Sequence, residues 1–301
     1  MRHLYAEPKQ IQSLAARLMG CAPADITDIE TLKLGMTNHS YLFAYHGVRF
    51  ILRVAGEGTD KLINREQEAA VYAVLAGLDI CDEIVAIEPS SGCKISRFYE
   101  NARVCDPLNE ADLRTCLAKL KAFHDRALTV EHSFDIFGQI EFYESLWEGE
   151  ASCYADYDAT KAKVMALRKL LDRAGVKKVL THIDANPDNF LFVGDKEIRL
   201  IDWEYAGMQD PVVDVAMFGI YAMYDREHME RLIDLYFDGA CPAEARARIY
   251  AYIAACGLLW SNWCEYKYRL GVDFGDYARA QYDYARDYAQ TALDAMEAAY
   301  V

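Results

Sequence analysis

Apolar residues recur at helical spacing over residues 7–20, where Ile11, Leu14, Leu18 and Met19 share one face. The pattern then shortens to strand-like runs at 29–34, 40–45 and 49–54. Gly35-Met36-Thr37-Asn38-His39 separates the first two runs, and His46-Gly47 makes a tight link to the third. Consecutive hairpins in an antiparallel sheet are the economical arrangement of these pieces. Helical spacing returns over 64–78, with Ala70, Val71, Val74 and Leu75 as the buried face. Strands near 84–88 and 93–98 close the sheet.

After Tyr99 the pattern turns helical. Leu113, Leu117, Leu120 and Phe123 mark a helix over 111–124 that starts near Asn109 or Glu110. Further helices are predicted over 139–147, 156–174 (stopped by Gly175), 212–224, 226–238, 242–269 and 275–299. Short apolar strands interrupt them at 179–180, 190–193 and 198–201. No Pro/Ser-rich linker or internal repeat divides the chain. The expected architecture is therefore α+β and two-lobed: a small antiparallel-sheet lobe over 1–98 and a mostly helical lobe over 99–301, meeting along one continuous interface.

At 301 residues, 53% hydrophobic and 26% charged, the chain is an ordinary globular protein with room for a substantial core. A net charge of −15 argues against nucleic-acid binding by phosphate neutralisation and suits a cationic small molecule. The nine cysteines are scattered without a C-x-x-C pair, so neither a disulfide framework nor a zinc site emerges. With no signal-like N-terminus and no membrane-length apolar run, a cytoplasmic protein is expected. Its oligomeric state is not legible.

The chemistry concentrates in Thr181-His182-Ile183-Asp184-Ala185-Asn186-Pro187-Asp188-Asn189 and in Leu200-Ile201-Asp202-Trp203-Glu204, which starts eleven residues after Asn189. Phosphoryl transfer from a magnesium–nucleotide complex needs a carboxylate to orient the attacking hydroxyl and take its proton. It also needs oxygen ligands to hold the metal against the phosphates. The spacing H-x-D-x-x-x-x-N resembles the catalytic loop of kinase-like folds, with Asp202 where their later metal ligand stands. The cleft between the lobes is the expected nucleotide site.

With these elements placed, the chain resembles the choline/ethanolamine kinase family, within the aminoglycoside-phosphotransferase-like group of protein-kinase-like folds. The likeness covers almost the whole chain. Its most specific part is Ile201-Asp202-Trp203-Glu204-Tyr205-Ala206-Gly207 followed by Asp214, similar to the family's I-D-[FW]-E-Y-[AS] signature. The resemblance implies ATP and Mg2+ as cofactors, Asp184 as catalytic base, and Asn189 and Asp202 as metal ligands. It implies a phosphate-covering loop carrying Gly35, Thr37 and Asn38, and a strand Arg53 that bridges phosphate oxygens through its planar fork. The acidic partner of Arg53 is Glu68 or Glu66, which helix phase does not separate. Residues 95–99 correspond to the hinge that meets the adenine, giving Arg97, Phe98 and Tyr99 as nucleotide contacts. Asp214 is expected to hold the catalytic loop through backbone amides, His182 to brace that loop, and His124 to be structural.

A quaternary ammonium has no N–H to donate, so aromatic faces and nearby carboxylates recognise it. Trp260 and Trp263 share a helical face, and Phe274 and Tyr277 follow in Asp273-Phe274-Gly275-Asp276-Tyr277. These two stretches resemble the family's choline box, with Glu204 and Tyr205 beside the metal. One position departs: where the family commonly has a Glu facing the head group, this chain has Tyr221, with Asp225 one helical turn on. The expected function is an ATP- and Mg-dependent kinase acting on the hydroxyl of choline or a similar small amino alcohol, choline and ethanolamine not being separated. An aminoglycoside- or thiamine-type phosphotransferase of the same fold would need a wider acidic cleft. A catalytically silent binder of a cationic ligand would not need Asp184, Asn189 and Asp202 together.

Overall fold

The computed structural model describes residues 7–34, 38–56, 62–194 and 197–300, so two expected site residues, Gly35 and Thr37, lie outside the described residues. The chain forms two compact units: residues 1–104 with 190–205, and residues 105–189 with 206–301.

In the first unit α1 (Pro8–Met19) is followed by β1 (Ile26–Leu34), β2 (Asn38–Tyr45), β3 (Val48–Ala55), α2 (Arg65–Leu75), β4 (Ile84–Glu88) and β5 (Cys93–Arg97). The strands make one antiparallel sheet in the order β1-β2-β3-β5-β4. His46 (φ 50) and Gly47 (φ 77) join β2 to β3 as a two-residue turn with both residues left-handed, the geometry whose twist matches a hairpin. Ile11 and Ala15 of α1 pack against Phe43, Leu52 and Ile95 of the sheet to make its core. β1 begins three residues before the position its alternation suggests. Register slips between Thr27 and Glu30 and between Thr31 and Lys33, with Asp28 at φ 50, break the two-residue period there.

α2 starts at Asn64, whose side chain accepts from the amides of Glu66 (3.1 Å) and Gln67 (3.2 Å). β6 (Arg103–Val104) is too short for any periodicity to predict. β7 (Val179–Thr181) belongs to the second unit, whereas β8 (Phe190–Val193) and β9 (Glu197–Leu200) return to the first as a three-stranded sheet in the order β6-β8-β9. The β8–β9 hairpin is fastened there by the Leu200 amide, which donates to the Ile80 carbonyl at 2.9 Å, and by the Arg199 guanidinium, which reaches the Cys81 carbonyl and Asp79.

The second unit is helical: α3 (Glu110–His124), α4 (Ile136–Ser145), α5 (Tyr157–Ala174), α6 (Val212–Tyr221), α7 (Arg226–Tyr236), α8 (Ala243–Arg269) and α9 (Asp276–Tyr300). β10 (Gly207–Gln209) pairs antiparallel with β7. The long helices α8 and α9 meet at Gly257, where a Cβ would lie 2.7 Å from the Gln281 carbonyl, so only glycine allows that approach. α6 stops at Tyr221, short of the expected 224, and Met223 turns left-handed at φ 52. Asp225 is exposed and caps α7 by accepting the His228 amide at 2.9 Å, which gives it a local structural task. Among the described residues no helix is long and apolar enough to cross a membrane.

Candidate active site

In the first unit β3 carries Arg53 with its side chain almost fully buried. Its two terminal nitrogens donate to the two carboxylate oxygens of Glu68, at 2.5 and 2.8 Å, and one of them also reaches the Gly92 carbonyl at 3.2 Å. The ambiguity between Glu66 and Glu68 is thereby resolved: Glu68 is buried on the inner face of α2, while Glu66 is exposed. Burial disfavours charge at Arg53, yet the hydrogen bonds and charge of Glu68, with Glu204 behind, raise its pKa. Burial likewise pushes the Glu68 carboxyl up, but Lys94, Arg53 and Arg65 outweigh it and bring the pKa down to about 2.

Two more cations complete this cluster, and sequence reasoning missed both. Arg65, the first residue of α2, bridges Glu68 (2.8 Å) and Glu204 (2.9 Å) and donates to Asn38 Oδ1 (2.8 Å). Lys94, paired across the sheet with Arg53, donates to the Tyr72 hydroxyl at 2.6 Å and lies 3.7 Å from Glu68. Asn38 also donates to Glu204, at 2.9 Å. Glu204, expected beside the substrate, thus has a buried carboxylate engaged by Arg65 and Asn38. Burial first, and the neighbouring Asp202 second, raise its pKa against the pull of Arg53 and Arg65. A charged strand residue opposite Arg53 and a charged first residue on α2 were the available signals.

Asp202 follows β9 with φ 67, a left-handed conformation unusual for a residue other than glycine. Trp203 behind it is fully buried and donates to the Leu200 carbonyl at 2.8 Å, anchoring that bend. Nε of Arg53 and Nε of Arg65 are buried donors without a partner among the described residues. The Arg53 guanidinium is within electrostatic reach of Asp202, and a fixed cation near a strand-end carboxylate suits the anionic oxygens of a nucleotide phosphate. Over residues 97–99 the amide of Arg97 donates to the Glu83 carbonyl and that of Phe98 to the Arg49 carbonyl, and the Tyr99 hydroxyl accepts the Glu83 amide.

In the second unit the loop after β7 carries Asp184. Asn189 Nδ2 donates to both the Asp184 carbonyl (2.9 Å) and its carboxylate (3.0 Å), which turns the Asn189 carbonyl oxygen, the metal-ligating atom of an amide, the other way. Fully buried Asp214 accepts the amides of His182 at 2.8 Å and Ile183 at 2.7 Å, the role expected of it. His124 bridges Asp214 and the Tyr236 hydroxyl, both at 2.9 Å, and is structural as expected.

The aromatic residues expected to make the acceptor pocket form a closed circuit. Tyr221 meets Trp260 (centroids 5.8 Å apart), Trp260 meets Trp263 (6.1 Å), and Trp263 meets Phe274 (5.0 Å). Phe274 then meets Tyr277 (6.2 Å), and Tyr277 stacks on Tyr221 (6.4 Å). Burial, then Cys264, then Asp184 push the Tyr277 hydroxyl well up, so the Asp184 carboxylate is felt at this circuit. Tyr282, further along α9, lies outside the circuit: it stacks on Tyr154 at 3.7 Å and its hydroxyl donates to Asp156. Glu204 and Tyr205 fold with the first unit, so their sequence proximity to Asp202 does not by itself make them part of the circuit.

A buried Arg–Glu pair beside a strand-end Asp, and an Asp–Asn loop held by a buried carboxylate, define a phosphotransferase of the kinase-like class. The chain belongs to the phosphotransferase enzyme family, whose model matches residues 28–252. It is 29% identical over 266 residues to protein LicA of Haemophilus influenzae, covering 83% of this chain and 97% of that one. Choline kinase LicA from Streptococcus pneumoniae shares its fold with a TM-score of 0.77 at 29% identity, over 96% of this chain and 98% of that one. A structure of LicA in complex with AMP matches at 30% identity and TM-score 0.75, over 89% and 92% of the two chains. The resemblance to choline/ethanolamine kinases within the aminoglycoside-phosphotransferase-like group is borne out, as are the α+β fold and the phosphotransferase class.

Proposed function

We propose that this protein is an ATP- and Mg-dependent kinase that phosphorylates the hydroxyl of choline or a closely similar amino alcohol. The closed circuit of Tyr221, Trp260, Trp263, Phe274 and Tyr277, within electrostatic reach of Asp184, is the observation that carries the acceptor. Ring faces attract a cation that offers no hydrogen-bond donor, and a carboxylate beside them serves the hydroxyl at the other end of a short amino alcohol. The choline kinase LicA relatives support the same choice.

Asp184 orients the acceptor hydroxyl and takes its proton as the hydroxyl oxygen bonds to the γ-phosphorus and ADP leaves. Asn189 and Asp202 would hold magnesium, which neutralises the phosphate oxygens when bound. A magnesium ion takes only one or two protein ligands and otherwise phosphate and water, so this pair is a sufficient set. Arg53, fixed by Glu68, would bind phosphate oxygens, and Asn38 would hold Arg65 and Glu204 in the same cluster. Arg97, Phe98 and Tyr99 would line the adenine, in keeping with a relative that binds AMP. Glu204 would hold the segment after Asp202 through Arg65, and Tyr205 would add a ring at the head group. Nine free thiols suit the reducing cytoplasm where ATP is found.

ADP release measured with choline, ethanolamine, thiamine and an aminoglycoside tests this. Choline or ethanolamine should give by far the highest kcat/KM. Preference for the aminoglycoside or thiamine would reassign the acceptor, and binding of choline without ADP release would make the protein a binder.

A further inference from the structure

The aromatic circuit already has a cation against it. Lys267 lies one helical turn beyond Trp263 on α8, only 8% exposed, with Nζ 5.5 Å from the Trp263 ring centroid. Among the described residues its ammonium has no hydrogen bond or ion pair. The acid nearest in sequence, Glu265, is occupied by the Ser152 hydroxyl, the Cys153 amide and Arg269. Partial desolvation, with no counter-ion beside the ammonium, lowers the pKa of Lys267. Its interaction with the protein is thus with the face of a ring. Trp263 in turn touches Trp260 and Phe274, so this ring is shared by the whole circuit.

We propose that Lys267 is a specificity-determining residue of the acceptor site, its resident positive charge on Trp263 setting how tightly the rings hold a cationic acceptor. This rests on the acceptor reading given above. A ring quadrupole that faces one ammonium offers less to a second, and the two like charges repel across a partly buried site. The rings alone would favour very tight capture of a quaternary ammonium, substrate and product alike. The lysine weakens that capture selectively for cations and leaves an uncharged molecule of the same shape unaffected. Lys267 acts through Trp263 and takes no part in the transfer itself.

Choline and its uncharged isostere 3,3-dimethylbutan-1-ol separate charge from shape. Dissociation constants of both are measured by calorimetry for the wild type, Lys267→Met, Lys267→Gln and Lys267→Arg. The two neutral variants should bind choline about tenfold more tightly, the scale expected of like-charge repulsion at partial burial. Binding of the isostere should stay within about twofold of wild type, since no ionic interaction is removed from it. Lys267→Arg should restore the wild-type ratio of the two constants. An unchanged ratio in both neutral variants overturns the proposal, as does a loss of affinity shared equally by both ligands. If Lys267→Met fails to fold, the ratio in Lys267→Gln decides. Failure of the wild type to bind choline at all overturns the acceptor reading itself, a result distinct from an unchanged ratio.

Discussion

Asp214 accepts the main-chain amide of Ile183 at 2.7 Å, and Ile183 is a β-branched residue held at φ 68, immediately before Asp184. A β-branched side chain rarely adopts that conformation and costs on the order of 1–3 kcal/mol there. The second Asp214 oxygen takes the His182 amide, so one buried carboxylate fixes the two residues that aim Asp184. Asp214→Ala should therefore cost about 3 kcal/mol or more of stability by leaving buried amides unpaired, and should lower kcat as the loop relaxes. Urea denaturation with steady-state kinetics checks it; unchanged stability would show that the carboxylate does not hold the loop.

Asp184→Ala should lower kcat by about 10²–10⁴-fold, the usual contribution of a positioned base, while nucleotide affinity stays near wild type. Asp202→Ala should instead abolish the magnesium-dependent part of nucleotide binding. Fluorescent-nucleotide titrations with and without magnesium separate the two variants. Equal effects on binding would contradict the division of roles.

Glu68 gives the first unit an acid-sensitive element. Its folded pKa of about 2 lies below the ordinary 4.5, so the folded state binds fewer protons than the unfolded one between these values. The stabilisation is fully present above about pH 4.5 and disappears as pH falls through about 2, an effect of roughly 3 kcal/mol at most. Glu68→Gln should remove that part of the acid limb in urea midpoints measured from pH 2 to 7. It should also free Arg53 and raise the KM for ATP. An acid limb identical to wild type would show that the carboxylate is not held by these cations.

Trp263→Ala should raise the acceptor KM by roughly 5- to 30-fold through loss of a cation–π face and of ring packing, with the KM for ATP little changed. Initial rates over both substrates measure this. An unaltered acceptor KM would place the acceptor away from the circuit.

Much of this was legible because helical periodicity is long and redundant: α8 and α9 show their apolar spacing over many turns, and their ends lie within a residue of expectation. The contact between Asp184 and Asn189 was legible because an H-x-D-x-x-x-x-N loop ties those residue types to one spacing. β6 and β10 were not, having two and three residues and no period to detect. Tertiary contacts, which sequence does not display, decided the rest. They bring the β8–β9 hairpin back to the first unit, choose Glu68 over Glu66, and draw Arg65 and Lys94 into the same buried cluster as Arg53. Asp225, one helical turn past Tyr221 in the sequence, is not on the same helix, because α6 ends at Tyr221 and Asp225 caps α7.

The most direct measurement is a phosphorus NMR time course of the wild-type protein with ATP, magnesium and choline. A phosphomonoester resonance of phosphocholine should grow in step with ADP and be absent with Asp184→Ala. Release of inorganic phosphate alone, or no turnover of ATP while choline is bound, would contradict the assignment.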